Sequence, residues 1–388
     1  MTELTEGASI LALGFDMAAV RCCLLESISG RCRVAGWLQA PARTDAPLPQ
    51  QAGDLLGVME RRLHRPLWSA TETAPFTASE DPVGLPPLGQ VAVTASPQGH
   101  VRTWLAGLTS TQSIAAAHEA LASSPAQVVG VTLHSADLQV AALADSLAKA
   151  EPHLLVLVGG YDYADAEAVQ PLYELARIVA AVLARIPPMQ RPAAVFAGNR
   201  WAGAGVVEIM QAAGAGVIEV VDNVQPQPDV LHAAALVQAV NFAYWRLCRR
   251  SEGLREVGRW VTAPGHITTL ESSFIEMVQV WMELVDLPAL HALYCGPAWS
   301  LHIAAVQGQQ GVQVRYAAPN SRPAALESWP PLQLVSGEWP HALWPRPALS
   351  WCDRRGLSPL VAAVGQVAPQ AMIEALAADV LEPMAARA

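Results

Sequence analysis

Between about residues 88 and 225, short aliphatic runs alternate with longer stretches of helical period, and this alternation constrains the fold more than any other feature of the chain. Strands are predicted at Val91–Ala95, Val128–Leu133, Leu154–Val158, Ala194–Ala197 and Val217–Val221. Helices are predicted at Thr111–Leu121, Asp137–Ala150, about Ala164 to Ile186, and Trp201–Ala213, with Ser110 as the expected N-cap of the first. Unbroken aliphatic strands lack the polar alternation of a half-exposed sheet, so both faces must be covered. Strand–helix alternation supplies that cover as a parallel sheet between two helical layers. Right-handed crossovers then give a doubly wound, flavodoxin-like or Rossmann-like layout.

The flanks have a different character. Ile10–Leu13, Val20–Glu26 and Arg31–Leu38 are short and apolar or alternating, with Ser29-Gly30 between the last two, which predicts an antiparallel hairpin or meander. Pro41–Gln50 is a predicted linker. Asp54–Leu63 follows as a helix with Leu55, Leu56, Met59 and Leu63 on one face. Pro66–Gly89, rich in Pro, Thr, Ser and acids, is a predicted exposed loop. Beyond the parallel segment, helices are predicted at Asp229–Arg249 and Ser272–Val285. Ala289–Cys295, Ser300–Val306 and Val312–Tyr316 are predicted strands of another sheet, and a C-terminal helix is predicted at about Gln370–Ala385.

Charge excludes some functions. The 388 residues carry a net charge of −10, and only 15% are charged. A general nucleic-acid surface needs clustered cations and is not expected. Lys149 is the only lysine, so a lysine-dependent phosphate site would have to use it, and no glycine-rich loop surrounds it. Cys22, Cys23, Cys32, Cys248, Cys295 and Cys352 form no CxxC pair and have no histidine at ligand spacing. They are expected to be free thiols in a reducing compartment, and no metal site is predicted. The longest apolar candidate, Leu175–Ile186, is interrupted by Arg177 and Arg185, and Met1–Ile10 is acidic and polar. A soluble, cytoplasmic protein without membrane insertion is expected.

Ligands of doubly wound sheets bind outside the carboxyl ends of the strands. Here those ends are Ser96-Pro97-Gln98-Gly99, Gly159-Gly160-Tyr161-Asp162, Gly198-Asn199-Arg200 and Asp222-Asn223. Gly99, Gly159, Gly160, Asp162, Gly198, Asn199 and Arg200 are therefore candidate binding residues. Two readings stay open. In one, helix-start amides and the Arg200 guanidinium together face an anion; in the other, the glycines simply make tight turns with Asn199 as a cap.

The same loops carry a resemblance. Thr94-Ala95-Ser96-Pro97-Gln98-Gly99-His100-Val101-Arg102, Gly107-Leu108-Thr109, Gly159-Gly160-Tyr161-Asp162 and Ala197-Gly198-Asn199-Arg200 resemble, in order and spacing, the SSAxGGLR, GL-T, GGTDGG and AGN stretches of the MutL family associated with glutamate mutase. That family is unrelated to the mismatch-repair protein sharing its name. The resemblance extends over roughly residues 8–310, including Val224-Gln225-Pro226 and Pro264-Gly265. It implies an actin-like ATPase (ribonuclease-H-like) core of the acetate-kinase, sugar-kinase and heat-shock-chaperone class, with an inserted doubly wound domain. It also implies a chaperone-like role toward adenosylcobalamin-dependent mutases. The expected division is 1–65 and 226–320 for the core, 66–89 linker, 90–225 parallel domain, and 321–388 strap and C-terminal helix.

Such cores grip Mg-ATP with two hairpin loops, about DxGSTxTK and DxGGATTD, and this chain departs from both. In Gly14-Phe15-Asp16-Met17-Ala18-Ala19-Val20-Arg21, Gly14 replaces the acid, Asp16 stands where glycine is expected, and Met17 and Ala18 replace hydroxyls. Arg21 alone keeps the cation and is the remaining candidate there. In Tyr294-Cys295-Gly296-Pro297-Ala298-Trp299-Ser300, Tyr294 replaces the acid, Pro297 removes an amide donor and Trp299 fills phosphate space. Mg-ATP is thus expected to bind weakly or not at all, and a degenerate, non-catalytic member with a protein partner is predicted. The alternatives are an ATPase with an altered site built from Arg21, Gly159, Gly160 and Asp162, or a scaffold that polymerises. The flavodoxin-like layout is shared with cobalamin-binding domains, which suggests mimicry of one.

Two further stretches stand out. Trp329, Trp339, Trp344 and Trp351 alternate with prolines, as a strap over the second sheet or an arm for a partner. Arg246, Arg249, Arg250, Arg255 and Arg259 make a basic run, either a solvated helix end or a docking patch for an acidic partner. No GxSxG and no Cys–His arrangement marks a nucleophile.

Overall fold

Alternation of buried and half-buried residues in Ser9–Asp16 (β1) fixes one face of a first sheet. The structure, a computed structural model, describes residues 9–28, 31–75, 88–135, 138–262, 267–285, 289–295, 300–306 and 312–317. β1, Ala19–Ile28 (β2) and Arg31–Pro41 (β3) form the expected antiparallel meander, with Leu11 opposite Leu24 and Leu24 opposite Gly36. Leu48–Leu63 (α1) buries Leu48, Ala52, Leu55, Leu56 and Met59. It starts six residues before the predicted helix. Pro49 lies in its first turn, where no intrahelical amide donor is needed. Gln51 binds Arg43 N and O and Ala46 O there, tying the supposed linker to the helix.

Within the predicted loop of residues 66–89, Trp68–Ser69 (β4) pairs with Ala74–Pro75 (β5). Residues 76–87 lie outside the described residues. Leu88–Ser96 (β6) then pairs in parallel with β1, giving a mixed sheet of order β3-β2-β1-β6. This corrects the expectation that Val91–Ala95 opens the parallel domain: the strand completes the first sheet instead.

The parallel sheet begins only at Val101–Gly107 (β7), a strand the sequence pattern did not reveal. Its mixture of Arg102, Thr103 and Trp104 obscures the aliphatic signal, and four residues separate it from β6. Thr109, not Ser110, caps the following helix: its hydroxyl accepts from Ser113 N at 3.2 Å. A π-helical turn at Ser110–Ile114 leads into Ala115–Leu121 (α2). Ala126–Leu133 (β8), Val140–Ala150 (α3), Leu154–Val158 (β9), Ala166–Arg185 (α4), Ala193–Phe196 (β10), Gly203–Ala212 (α5) and Ile218–Val220 (β11) follow. The five strands run in the order β8-β7-β9-β10-β11, all parallel, with β7 paired to both β8 and β9. In sequence ranks this is 2-1-3-4-5, the flavodoxin-like order, with its switch point between β7 and β9.

Strand alternation splits the core. On β9, Leu154, Val156 and Val158 face one cluster, and Leu155 and Leu157 the other. The first cluster continues beneath the antiparallel meander through α2 and Ala234–Cys248 (α6). The second lies under α3, α4 and α5. Trp104 turns its indole N–H to Thr132 Oγ1 at 2.9 Å, and its ring lies over Gly130, where a Cβ would come within 2.2 Å of it.

Leu254–Val257 (α7) and Leu270–Val285 (α8) come next. Ala289–Cys295 (β12), Ser300–Val306 (β13) and Gln313–Ala317 (β14) form the predicted second sheet, antiparallel, with Leu301, Ile303 and Ala305 buried against Val278 of α8. The Trp/Pro-rich stretch, the C-terminal helix prediction, Ser29-Gly30 and the second hairpin loop at 296–299 lie outside the described residues. Among the described residues, no helix is long and apolar enough to cross a membrane, and no group of three or more His, Cys, Asp or Glu could hold a metal ion.

Candidate functional site

The candidate residues fall at two separate ends of the parallel sheet. Gly99 precedes β7 and sits beside the β1–β2 hairpin: a Cβ on it would lie 3.7 Å from Met17 Sδ. Arg21 belongs to that hairpin. Gly159, Gly160, Asp162, Gly198, Asn199 and Arg200 gather at the opposite, carboxyl end. Six residue steps along β7 separate the two ends by about 20 Å.

At the carboxyl end the loops are bound to one another. Gly159 and Gly160 take φ of 144° and 70°, which strongly favour glycine. Asn199 N donates to Gly159 O (2.9 Å), and Asn199 Nδ2 donates to Tyr163 O (2.8 Å). Asn199 Oδ1 caps Trp201 N (2.9 Å), as a helix-start asparagine should. Asp162 Oδ1 accepts from Arg200 N (3.0 Å) and from Asn223 Nδ2 (2.8 Å), while its Oδ2 lies 3.8 Å from Arg200 Nε. Asn223 Nδ2 also reaches Gly160 O (2.9 Å). Gly198 is required by contact, since a Cβ there would come within 2.7 Å of Gly159 O. Asn199 and Asn223 are both buried.

This geometry supplies partners within the chain for the groups at these loop ends. The first amides of the helix start are already capped, by Asp162 and Asn199. The Asp162 carboxylate lies beside these amides, and Arg200 faces that carboxylate and the Trp201 ring, 5.1 Å from its centroid. Asn223, noted only as a strand-end residue, is the third member of the knot. Its strand-end position was the available signal, but a contact across 61 residues has no sequence pattern. Outward from the knot, Arg200, Val220, Asp222, Gln238, Ala239 and Phe242 line a concavity of about 510 Å³ between the edge strand β11 and α6.

The hairpin repeats the theme. Asp16 Oδ1 accepts from Ala18 N and Ala19 N, both at 2.7 Å, and its Oδ2 pairs with Arg21 Nη1. Arg21 Nε also donates to Gln39 Oε1 (3.2 Å). The Asp16 side chain is 2% exposed. The Ala18 and Ala19 amides are therefore engaged by the Asp16 carboxylate, and Met17 and Ala18 add no hydroxyl beside them.

A buried polar cluster that sequence reasoning did not identify lies at the end of β6, opposite Asp16 in register. Ser96 Oγ donates to Glu271 Oε2 (2.5 Å) and accepts from Leu270 N (3.0 Å). Burial, then the Glu271 charge, push the Tyr244 and Tyr316 phenols well above their usual range. Burial chiefly pushes the Cys248 thiol up to about 12. These groups stay protonated at neutral pH, which suits a structural clasp between β6, α6 and α8 rather than nucleophilic chemistry.

A family model described as MutL protein matches residues 70–283, more than half of the chain. The match spans β6, the parallel sheet with its knotted loops, α6, α7 and most of α8. No curated protein matches the chain.

Proposed function

The chain belongs to the MutL family, and from that premise we propose that it is a non-hydrolysing, chaperone-like or assembly factor for an adenosylcobalamin-dependent mutase such as glutamate mutase. The observation that carries this reading is Asp16. Phosphoryl transfer needs free donors around the transferred group and oxygen ligands for magnesium. Here the Asp16 carboxylate takes the hairpin amides and the Arg21 cation for itself.

An actin-like core is part of the proposal. Its support is the first sheet, an antiparallel meander followed by a strand parallel to β1, and the second antiparallel sheet packed on α8. The 2-1-3-4-5 order of the parallel sheet fits mimicry of a cobalamin-binding domain in docking to the mutase. The carboxyl-end loops are the surface offered, because the knot holds them in one arrangement with Trp201 and Tyr163 exposed. An altered ATPase site would need Arg21 and the Gly159–Asp162 loop together, across about 20 Å of sheet.

Isothermal titration with Mg-ATP tests the first part: no magnesium-dependent binding is expected, and tight binding would overturn it. Capture of a cobalamin-dependent mutase subunit, with a change in its turnover after inactivation, tests the second. A mutase that neither binds nor responds would refute it.

A further inference from the structure

The chain is acidic overall, yet one stretch runs against it. Residues 246–259 hold five arginines against two glutamates, Glu252 and Glu256, in a protein of net charge −10. All five arginine side chains are exposed. None makes an ion pair or hydrogen bond to another described side chain. A guanidinium presents five donors in a planar fork that matches carboxylates, so this is a surface of unused donors.

The stretch also has shape. Phe242, Arg246, Arg249 and Arg250 follow one another at helical spacing along one face of α6 and its end. Phe242 is 58% exposed, with the Arg246 guanidinium 6.0 Å over its ring. Exposed aromatic and arginine residues together are the anchors that protein interfaces favour. Five residues beyond Arg250, Arg255 and Arg259 line a concavity of about 590 Å³ floored by Trp260 and edged by Thr73 and Glu256. Gly253, at φ 81°, makes the turn that aims α7 at it.

We propose that the ridge from Phe242 to Arg259 binds an acidic segment of a partner protein, with carboxylates on the arginine forks and an apolar side chain against Phe242. Charge complementarity selects this occupant. A phosphate-rich surface such as a membrane or a nucleic acid would meet the repulsion of the rest of an acidic chain, and Glu72 and Glu256 stand inside the concavity. A discrete acidic peptide can avoid those two glutamates, whereas a uniform anionic surface cannot. Phe242 joins the ridge to the concavity beside the Asp162 knot, the arginines lie beyond it along α6 and α7, and their use does not depend on whether nucleotide binds at the hairpin.

The test is fluorescence anisotropy of a labelled decaglutamate peptide with the full chain, at about 50 mM and about 300 mM salt. The wild-type chain is expected to bind at low salt. Arg249→Glu with Arg255→Glu should weaken binding roughly tenfold or more. Arg177→Glu with Arg185→Glu, the same charge change on exposed α4 positions, should leave it within about twofold. Arg249→Lys with Arg255→Lys should fall between, since charge stays while the fork is lost. Circular dichroism confirms that each variant is folded. No binding by the wild type, or equal losses in the two charge-reversed pairs, overturns the proposal. So does arginine-dependent binding to phosphatidylserine vesicles without binding to the peptide.

Discussion

Replacing Asp16 measures how far the hairpin depends on its own carboxylate. In Asp16→Ala, Ala18 N and Ala19 N lose their acceptor. Ala18 is exposed and can bond water, but Ala19 is 2% exposed, so its N–H is left unsatisfied. An unmet buried donor costs about 1–3 kcal/mol. The ion pair adds little, because Arg21 is 34% exposed and water replaces its partner. The expected loss is about 2–3 kcal/mol for Asp16→Ala. For Asp16→Asn, which keeps an oxygen for both amides, about 1 kcal/mol is expected. Urea unfolding followed by far-UV circular dichroism, with unchanged m, gives both values. An alanine variant within about 0.5 kcal/mol of wild type, or an asparagine variant as costly as alanine, would show that the carboxylate does not hold the amides as described.

Three further outcomes are expected. Gly198→Ala drives a Cβ to 2.7 Å from Gly159 O and 3.0 Å from the Phe196 ring; it should cost about 1–3 kcal/mol in thermal or urea unfolding, and a neutral result would mean that the knot is loose. Burial lowers the pKa of His100 and, with the Arg102 and Arg250 charges, that of His153. The folded state then binds fewer protons than the unfolded chain below the ordinary histidine pKa of about 6.5, so stability falls as pH drops through that region toward the lowered values. His153→Gln should flatten this part of the stability profile, and an unchanged slope would refute the assignment. Burial raises the Cys22 and Cys248 thiols to about 12, so at about pH 8 Ellman's reagent should leave both unmodified until urea is added.

What the sequence disclosed follows a physical rule. Leu154–Val158 was legible to the residue because a strand buried on both faces admits only aliphatic side chains. β7, its neighbour in the same sheet, was not. Thr103 is buried with its hydroxyl on Val101 O, Trp104 is satisfied by Thr132, and Arg102 reaches Ala150 O at the sheet margin. Each polar group is answered by a partner that local pattern cannot show. The strand-end glycines were identifiable from position alone. The meeting of Asp162, Arg200 and Asn223 beside them, across the fold, leaves no local pattern. Asp16 was visible as a departure from a motif, but its hold on the Ala18 and Ala19 amides and on Arg21 is a matter of hairpin geometry.

The four residues between β6 and β7 join the first sheet to the parallel sheet. Gln98, in their middle, is held from two sides, by Ser251 Oγ at 2.8 Å and by the Tyr244 hydroxyl at 3.2 Å. Tyr244 belongs to α6 and Ser251 follows its end, so this helix splints the joint between the first sheet and the parallel sheet.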